Sequence, residues 1–190
     1  MKGLAMIRTV ALLVGSVSEP SLNRRLAGAL MALAPRADLK MHDVPIAQLP
    51  FFGAQLQTVD DYPEVGREFK RHVDAADGIL FVTPEYNRSI TGVLKNAVDW
   101  ASRPVGASSL AGRPVAVIGA SKGAISTAVA QNHLKAILTS QGAAVLGRPE
   151  AYIRYTDGLI DDDGAVTDAS TEKFLLSFLR AFHDLIDRWV

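Results

Sequence analysis

The strongest constraint on this chain is the spacing of its apolar runs. Ile7 to Val14 is almost wholly apolar, and so are Gly78 to Thr83 and Pro114 to Gly119. Strands that read as continuous hydrophobic runs, rather than alternating ones, belong to parallel sheets covered on both faces. Between them lie stretches with helical periodicity. Ser21 to Leu33 puts Leu22, Leu26, Ala29, Leu30 and Leu33 on one face, and Tyr62 to Ala76 is a charged amphipathic helix. Leu39 to Val44 supplies a short second strand, followed by a long loop over residues 45–60 that contains Pro45, Pro50 and Gly53.

Further helices are predicted over Thr91 to Ser102 and Ala124 to Gln141, and a fifth strand over either Ala143 to Leu146 or Ala151 to Tyr155. In the last helix Phe174, Leu175, Phe178, Leu179, Phe182, Leu185, Ile186 and Trp189 form a wide stripe, read as core packing. Alternating strands and helices imply an α/β fold, a doubly wound five-stranded parallel sheet in the order 2-1-3-4-5 with helices on both faces. With 190 residues, 48% of them hydrophobic, one domain over residues 1–190 is expected.

Composition narrows the function classes. Twenty basic residues balance twenty acidic ones, so no overall field draws the chain to nucleic acid or anionic lipid. Zero cysteines remove disulfides, thiolate catalysis and sulfur-ligated metals, and fit a reducing compartment. The opening "MKGLAMIRTVALLVGS" runs into a motif rather than a cleavage site, and no run reaches the ~18 apolar residues of a membrane span. A cytoplasmic protein is expected. "TDGLIDDDGAVTDAS" reads as an acidic turn, because the calcium-loop spacing and closing glutamate are absent.

A sheet of this order binds ligands beyond the carboxyl ends of its strands, at the switch point between strands one and three. Unusual polar motifs should follow those two strands, and they do. After strand one, "GSVSEPSLNRRLA" gathers Ser16, Ser18, Ser21 and Asn23 where a helix begins, with Gly15 letting the backbone come close. Helix starts carry free N–H groups and partial positive charge, which suit a phosphate. The loop lacks the lysine of a P-loop and the pattern GxGxxG, so a monophosphate suits it better than a triphosphate with magnesium.

After strand three comes "TPEYNRSITGVLKNAVDW": Pro84 stiffens the loop, and Glu85, Tyr86 and Asn87 present polar groups. Lys95 and Asp99 are spaced as a surface i,i+4 pair as readily as a ligand contact. After strand four, "VIGASKGAIS" imitates the glycine turn of short-chain dehydrogenases, but it follows the wrong strand and no Tyr-x-x-x-Lys comes later. It reads instead as a third loop on the same rim, with Gly119 to Gly123 letting a flat ligand approach. Together the three loops describe a ligand with a phosphate tail and a planar polar head.

These three segments resemble the NAD(P)H-dependent FMN reductase family, which includes chromate and quinone reductases and azoreductase-like flavoproteins. The likeness covers about 180 residues, and Thr-Pro-Glu-Tyr-Asn with Leu-Lys-Asn-Ala-x-Asp-Trp is its most specific part. The resemblance implies a flavodoxin-like fold, bound FMN, NAD(P)H as co-substrate and a homodimer or homotetramer. It also implies that Ser16, Ser18, Ser21 and Asn23 meet the phosphate, that Pro84, Glu85, Tyr86 and Asn87 border the isoalloxazine, and that Ser121 and Gly123 lie nearby.

Departures stand out: the family usually has arginine where Ser18 stands, and often has proline where Thr91 stands and an aromatic residue where Arg88 stands. Arg88 is a candidate for the 2′-phosphate of NADPH, for the charge missing at position 18, or for plain solvation. The implied chemistry is ping-pong electron transfer from NAD(P)H to a quinone, chromate, an azo compound, free flavin or another small acceptor, with no catalytic side chain. Backbone N–H groups near the ring would stabilise the negative charge of reduced flavin.

His42, His72, His133 and His183 pair with no nucleophile and are assigned to the surface or an interface. Trp100 and the helix Gln131 to Ser140 are read either as an interface or as core. The rival classes are a flavodoxin-like electron carrier, disfavoured by the zero net charge, and a non-enzymatic flavin-binding regulator.

Overall fold

A computed structural model describes residues 6–190 apart from Ala54 and Gln57. Arg8–Val14 (β1) pairs in parallel with Leu39–Asp43 (β2) on one side and Gly78–Val82 (β3) on the other. Pro114–Ser121 (β4) follows β3, giving the order β2-β1-β3-β4, as expected. The sheet has six strands rather than the expected five, because both candidate segments for the fifth position form short strands. Ala144–Val145 (β5) pairs with Pro114 and Val115, while Ala151–Arg154 (β6) pairs with Ile118 to Ser121, along the same flank of β4. Beyond Leu146, whose N–H still donates to the Val115 carbonyl at 2.8 Å, the chain leaves the ladder over residues 147–150, where Gly147 and Pro149 disfavour a continuous strand.

Strand residues divide by period two between two core layers. Val10, Leu12, Val14, Leu80, Val82, Ala116 and Ile118 face the helices Leu22–Leu33 (α1) and Ala169–Trp189 (α5). Ala11, Leu13, Ile79, Phe81, Val115 and Val117 face Glu64–Asp74 (α2), Gly92–Ala101 (α3) and Ala128–Ser140 (α4). Fully burying one such side chain stabilises the fold by about 1.5–3 kcal/mol, so both layers are needed to offset chain entropy. In α5 the stripe packs as expected through Leu175, Phe178, Leu179, Phe182 and Ile186. Its end does not: Trp189, in the last turn, is 55% exposed, with no described element covering it.

His183 is a second correction. It is buried rather than superficial, with Nε2 2.9 Å from the Met6 carbonyl and Nδ1 3.7 Å from Asp187, which also accepts from Arg8 Nε at 2.7 Å. This cluster ties the entry to β1 onto α5. Among the described residues no helix is long and apolar enough to cross a membrane, and no group of His, Cys, Asp and Glu could hold a metal ion.

Candidate functional site

The loops that follow β1, β3 and β4 all emerge at the carboxyl edge of the sheet. After β1, Ser21 caps α1 by accepting from Arg24 N at 3.1 Å, and its hydroxyl donates to Ser16 Oγ at 2.7 Å. No described residue accepts from the backbone N–H groups of Ser16, Val17, Ser18 or Leu22. They are free donors beside the positive end of a helix.

Ser18 is exposed, and its hydroxyl lies 2.8 Å from the Tyr86 hydroxyl across the gap between the first and second loops. Two expectations change here. Asn23 is buried and spends its whole amide on Ala120, donating to its carbonyl at 3.0 Å and accepting from its N–H at 2.9 Å. It fastens α1 to β4, so its side chain is not a phosphate contact. Gly15 serves packing: a Cβ there would stand 2.9 Å from Leu94 Cδ2 on α3.

After β3 the chain forms a tight hairpin. Tyr86 and Ser89 exchange both backbone hydrogen bonds at 2.9 Å, with Asn87 and Arg88 at φ of 50° and 63° between them. Two consecutive positive φ values give the mirror-image turn that suits a two-residue hairpin, and Asn adopts that region more readily than most residues. Pro84 is buried below the hairpin, while Tyr86 is 48% exposed.

Both carboxylate oxygens of Glu85, which lines the rim, are already held by protein groups. Its Oε2 accepts from Val129 N and Ala130 N at 3.0 and 3.1 Å, and its Oε1 accepts from Arg88 at 2.9 Å. The Arg88 side chain is 70% exposed and that of Glu85 only 8%.

Between this hairpin and the loop after β4 lies a cleft of about 480 Å³. Glu85, Asn87 and Arg88 form one wall, and Ser121, Gly123 and Ile125 the other. Around Gly123 there is room, since a Cβ would meet nothing nearer than Ser121 Oγ at 3.4 Å. Gly119 is different from the expectation: its missing Cβ is replaced by the Thr83 carbonyl at 2.1 Å and Thr127 Oγ1 at 2.5 Å. It lets protein, not ligand, come close. Ser126, at φ 50°, is held by its hydroxyl donating to the Ile153 carbonyl of β6 at 2.7 Å.

Sequence reasoning placed Thr91 at a helix start without a role, and passed over Ser126. Thr91 caps α3 by accepting from Leu94 N and donates to the Gly15 carbonyl at 2.7 Å, so one hydroxyl joins two of the loops. The signal was available, since a threonine before an apolar helical run is a cap pattern.

The polar residues of α3 have structural work. Asn96 accepts from Phe52 N at 2.9 Å and donates to the Pro50 carbonyl at 3.0 Å, which also accepts from Trp100 Nε1 at 2.8 Å. They hold the loop after β2. Trp100 is 1% exposed and meets Tyr62 and Phe52 edge-on, which decides for core within this chain. Lys95 and Asp99 form an exposed pair at 2.7 Å, as their spacing allows.

This strand order, with its polar loops collected beyond the carboxyl ends, is the flavodoxin-like arrangement. Within it the chain has specific kin. Residues 8–157 match the model of the NADPH-dependent FMN reductase family. A 2-hydroxy-1,4-benzoquinone reductase from a Burkholderia species is 45% identical over 174 residues, 92% of this chain and 93% of its own length. A quinone reductase from Pseudomonas putida is 37% identical over 187 residues, 98% of this chain and 97% of its own. The solved structure of FerB, a flavoenzyme NAD(P)H:(acceptor) oxidoreductase from Paracoccus denitrificans, superposes with a TM-score of 0.90 at 43% identity, over 96% of this chain and 99% of that one. The chain belongs to the NADPH-dependent FMN reductase family.

Proposed function

We propose that this chain, acting as one domain over residues 1–190, binds FMN at the carboxyl edge of its sheet and passes electrons from NAD(P)H to quinone-type acceptors. The observation that carries the reading is the pairing of free N–H donors at the start of α1 with an open cleft on the same rim. The residues present fit FMN. The backbone of Ser16 to Ser18, with the hydroxyl of Ser18, suits the phosphate, while the hairpin at Tyr86 and Asn87 and the loop at Ser121 and Gly123 suit the ring. Bound FMN would supply the two-electron chemistry.

The chain's own part is to bind and to orient. The α1 terminus favours an anion through its free N–H groups, since Arg24 and Arg25 of its first turn are paired with Asp43 and Asp162, and the polar cleft walls offer hydrogen bonds to ring edges. Arg88, exposed at the rim, is the natural partner for a 2′-phosphate. Donor and acceptor visiting the same flavin face in turn would give ping-pong turnover. The relatives' names support a quinone as acceptor; chromate, azo compounds and free flavin belong in the same panel. A homodimer or homotetramer is part of the proposal, checked by light scattering.

The deciding experiment is titration of the flavin-free protein with FMN, followed by addition of NAD(P)H without acceptor. Saturable binding and loss of the flavin's visible absorption are expected, with parallel double-reciprocal plots once a quinone is supplied. Protein that never retains FMN would refute the proposal. Bound flavin that no nicotinamide nucleotide reduces would favour an electron carrier or a regulator.

A further inference from the structure

Helix α4 lacks a cap of its own. Its N-cap residue, Thr127, makes no capping bond; its hydroxyl accepts from Gln131 Nε2 at 2.9 Å instead. The orphan N–H groups of the first turn are met from elsewhere in the chain. Glu85, 44 residues before Val129, places Oε2 at 3.0 Å from Val129 N and 3.1 Å from Ala130 N. A carboxylate at a helix start is favoured twice, by charge-assisted hydrogen bonds and by the helix dipole. The other oxygen of the same group holds Arg88 at 2.9 Å.

We infer that Glu85 is a positioning and specificity-determining residue with one task for each oxygen. Oε2 pins the hairpin to α4 and so sets the width of the cleft between the hairpin and the 121–126 loop. Oε1 masks the charge of Arg88, keeping the rim nearly neutral until an anionic group competes for the guanidinium. Because the helix terminus already compensates the carboxylate, Arg88 can leave it at little cost. Glu85 therefore restrains the preference for a nucleotide bearing a 2′-phosphate. The second task rests on the reading of the cleft as the flavin and nucleotide site; the first does not.

The test uses Glu85→Gln, Glu85→Ala and the double variant Glu85→Gln/Arg88→Gln. Amide exchange at Val129 and Ala130 is read in flavin-free protein, and kcat/KM for NADPH and NADH in FMN-loaded protein. Glutamine keeps an oxygen for the two N–H groups and removes the charge that masks Arg88. E85Q should hold exchange at both amides within about threefold of wild type and raise the NADPH-over-NADH ratio of kcat/KM by about fivefold, as an unmasked surface cation would.

The double variant should lose that rise. E85A should speed exchange at both amides about tenfold, as loss of a cap does. Unchanged exchange in E85A overturns the anchoring role, and an unchanged nucleotide ratio in E85Q overturns the masking role. A wild-type protein that binds no FMN would overturn the reading of the cleft, while the exchange measurement still decides whether Glu85 anchors the hairpin.

Discussion

Gly119 is the position where a single methyl group should do most harm. It lies in the buried part of β4, opposite Tyr152 of β6, just before the strand opens into the third loop. A Cβ there would stand 2.1 Å from the Thr83 carbonyl oxygen and 2.5 Å from Thr127 Oγ1, where ordinary contact begins near 3.4 Å. One of those neighbours must retreat by more than an ångström. Neither retreats easily: Thr83 N donates to the Ile118 carbonyl at 2.9 Å, and Thr127 is fully buried at the head of α4.

Overpacking against backbone sits at the upper end of its usual range, so Gly119→Ala should cost about 3 kcal/mol. For a chain of this length that lowers the melting temperature by roughly 6–12 °C. The same displacement spreads the second and third loops, so FMN affinity should fall about tenfold, equivalent to ~1.4 kcal/mol. Circular-dichroism melts and a flavin-fluorescence titration on the same preparation read both effects. The control is Gly123→Ala, whose Cβ meets only Ser121 Oγ at 3.4 Å, with an expected stability change within about 0.5 kcal/mol. If G119A melted within about 2 °C of wild type, the argument from that close approach would be refuted.

Three further outcomes follow from the same structure. Asn23→Leu strands the buried N–H and carbonyl of Ala120 and should cost about 2–4 kcal/mol in urea unfolding; a cost below about 1 kcal/mol would mean that water replaces the amide. Ser18→Arg adds a cation beside the expected phosphate site and should tighten FMN about fivefold to tenfold at low salt, an effect that high salt erases; equal affinity at low salt would place the phosphate elsewhere. Burial and the hydrogen bond to Glu150 push the Tyr152 phenol up to about 12, against roughly 10 in an unfolded chain. The native state then keeps a proton that the unfolded state has lost, so this contribution is full below pH ~10 and disappears as pH rises towards 12. Tyr152→Phe should flatten that decline in unfolding measured across the interval, and an unaltered slope would count against it.

Strand order was legible because period and burial leave their mark along the chain: runs covered on both faces read as apolar throughout, and their loops as polar. The split fifth strand was legible only as two short rival runs, since a two-residue ladder carries too little pattern to rank. What could not be read were partnerships across long separations. Nothing near Glu85 announces that it caps a helix 44 residues later, and nothing near Asn23 points to Ala120, 97 residues on. Glycine is silent in a similar way: Gly15, Gly119 and Gly123 look alike in sequence, yet two are pressed against protein and one faces open space. His183 was assigned to the surface because its partner is a backbone carbonyl at the far end of the chain, which no local pattern reveals.

The interruption between β5 and β6 works as an expansion joint. Pairing along β4 is offset by three residues from one piece to the other, so the segment between them takes up slack that would otherwise pass along the strand. Ser126 braces the third loop on the Ile153 carbonyl, beyond that joint. Insertions or strain arriving through β5 at the opposite edge of the sheet can be absorbed before they reach the brace. The rim can therefore hold its shape while the remote end of the molecule drifts in sequence.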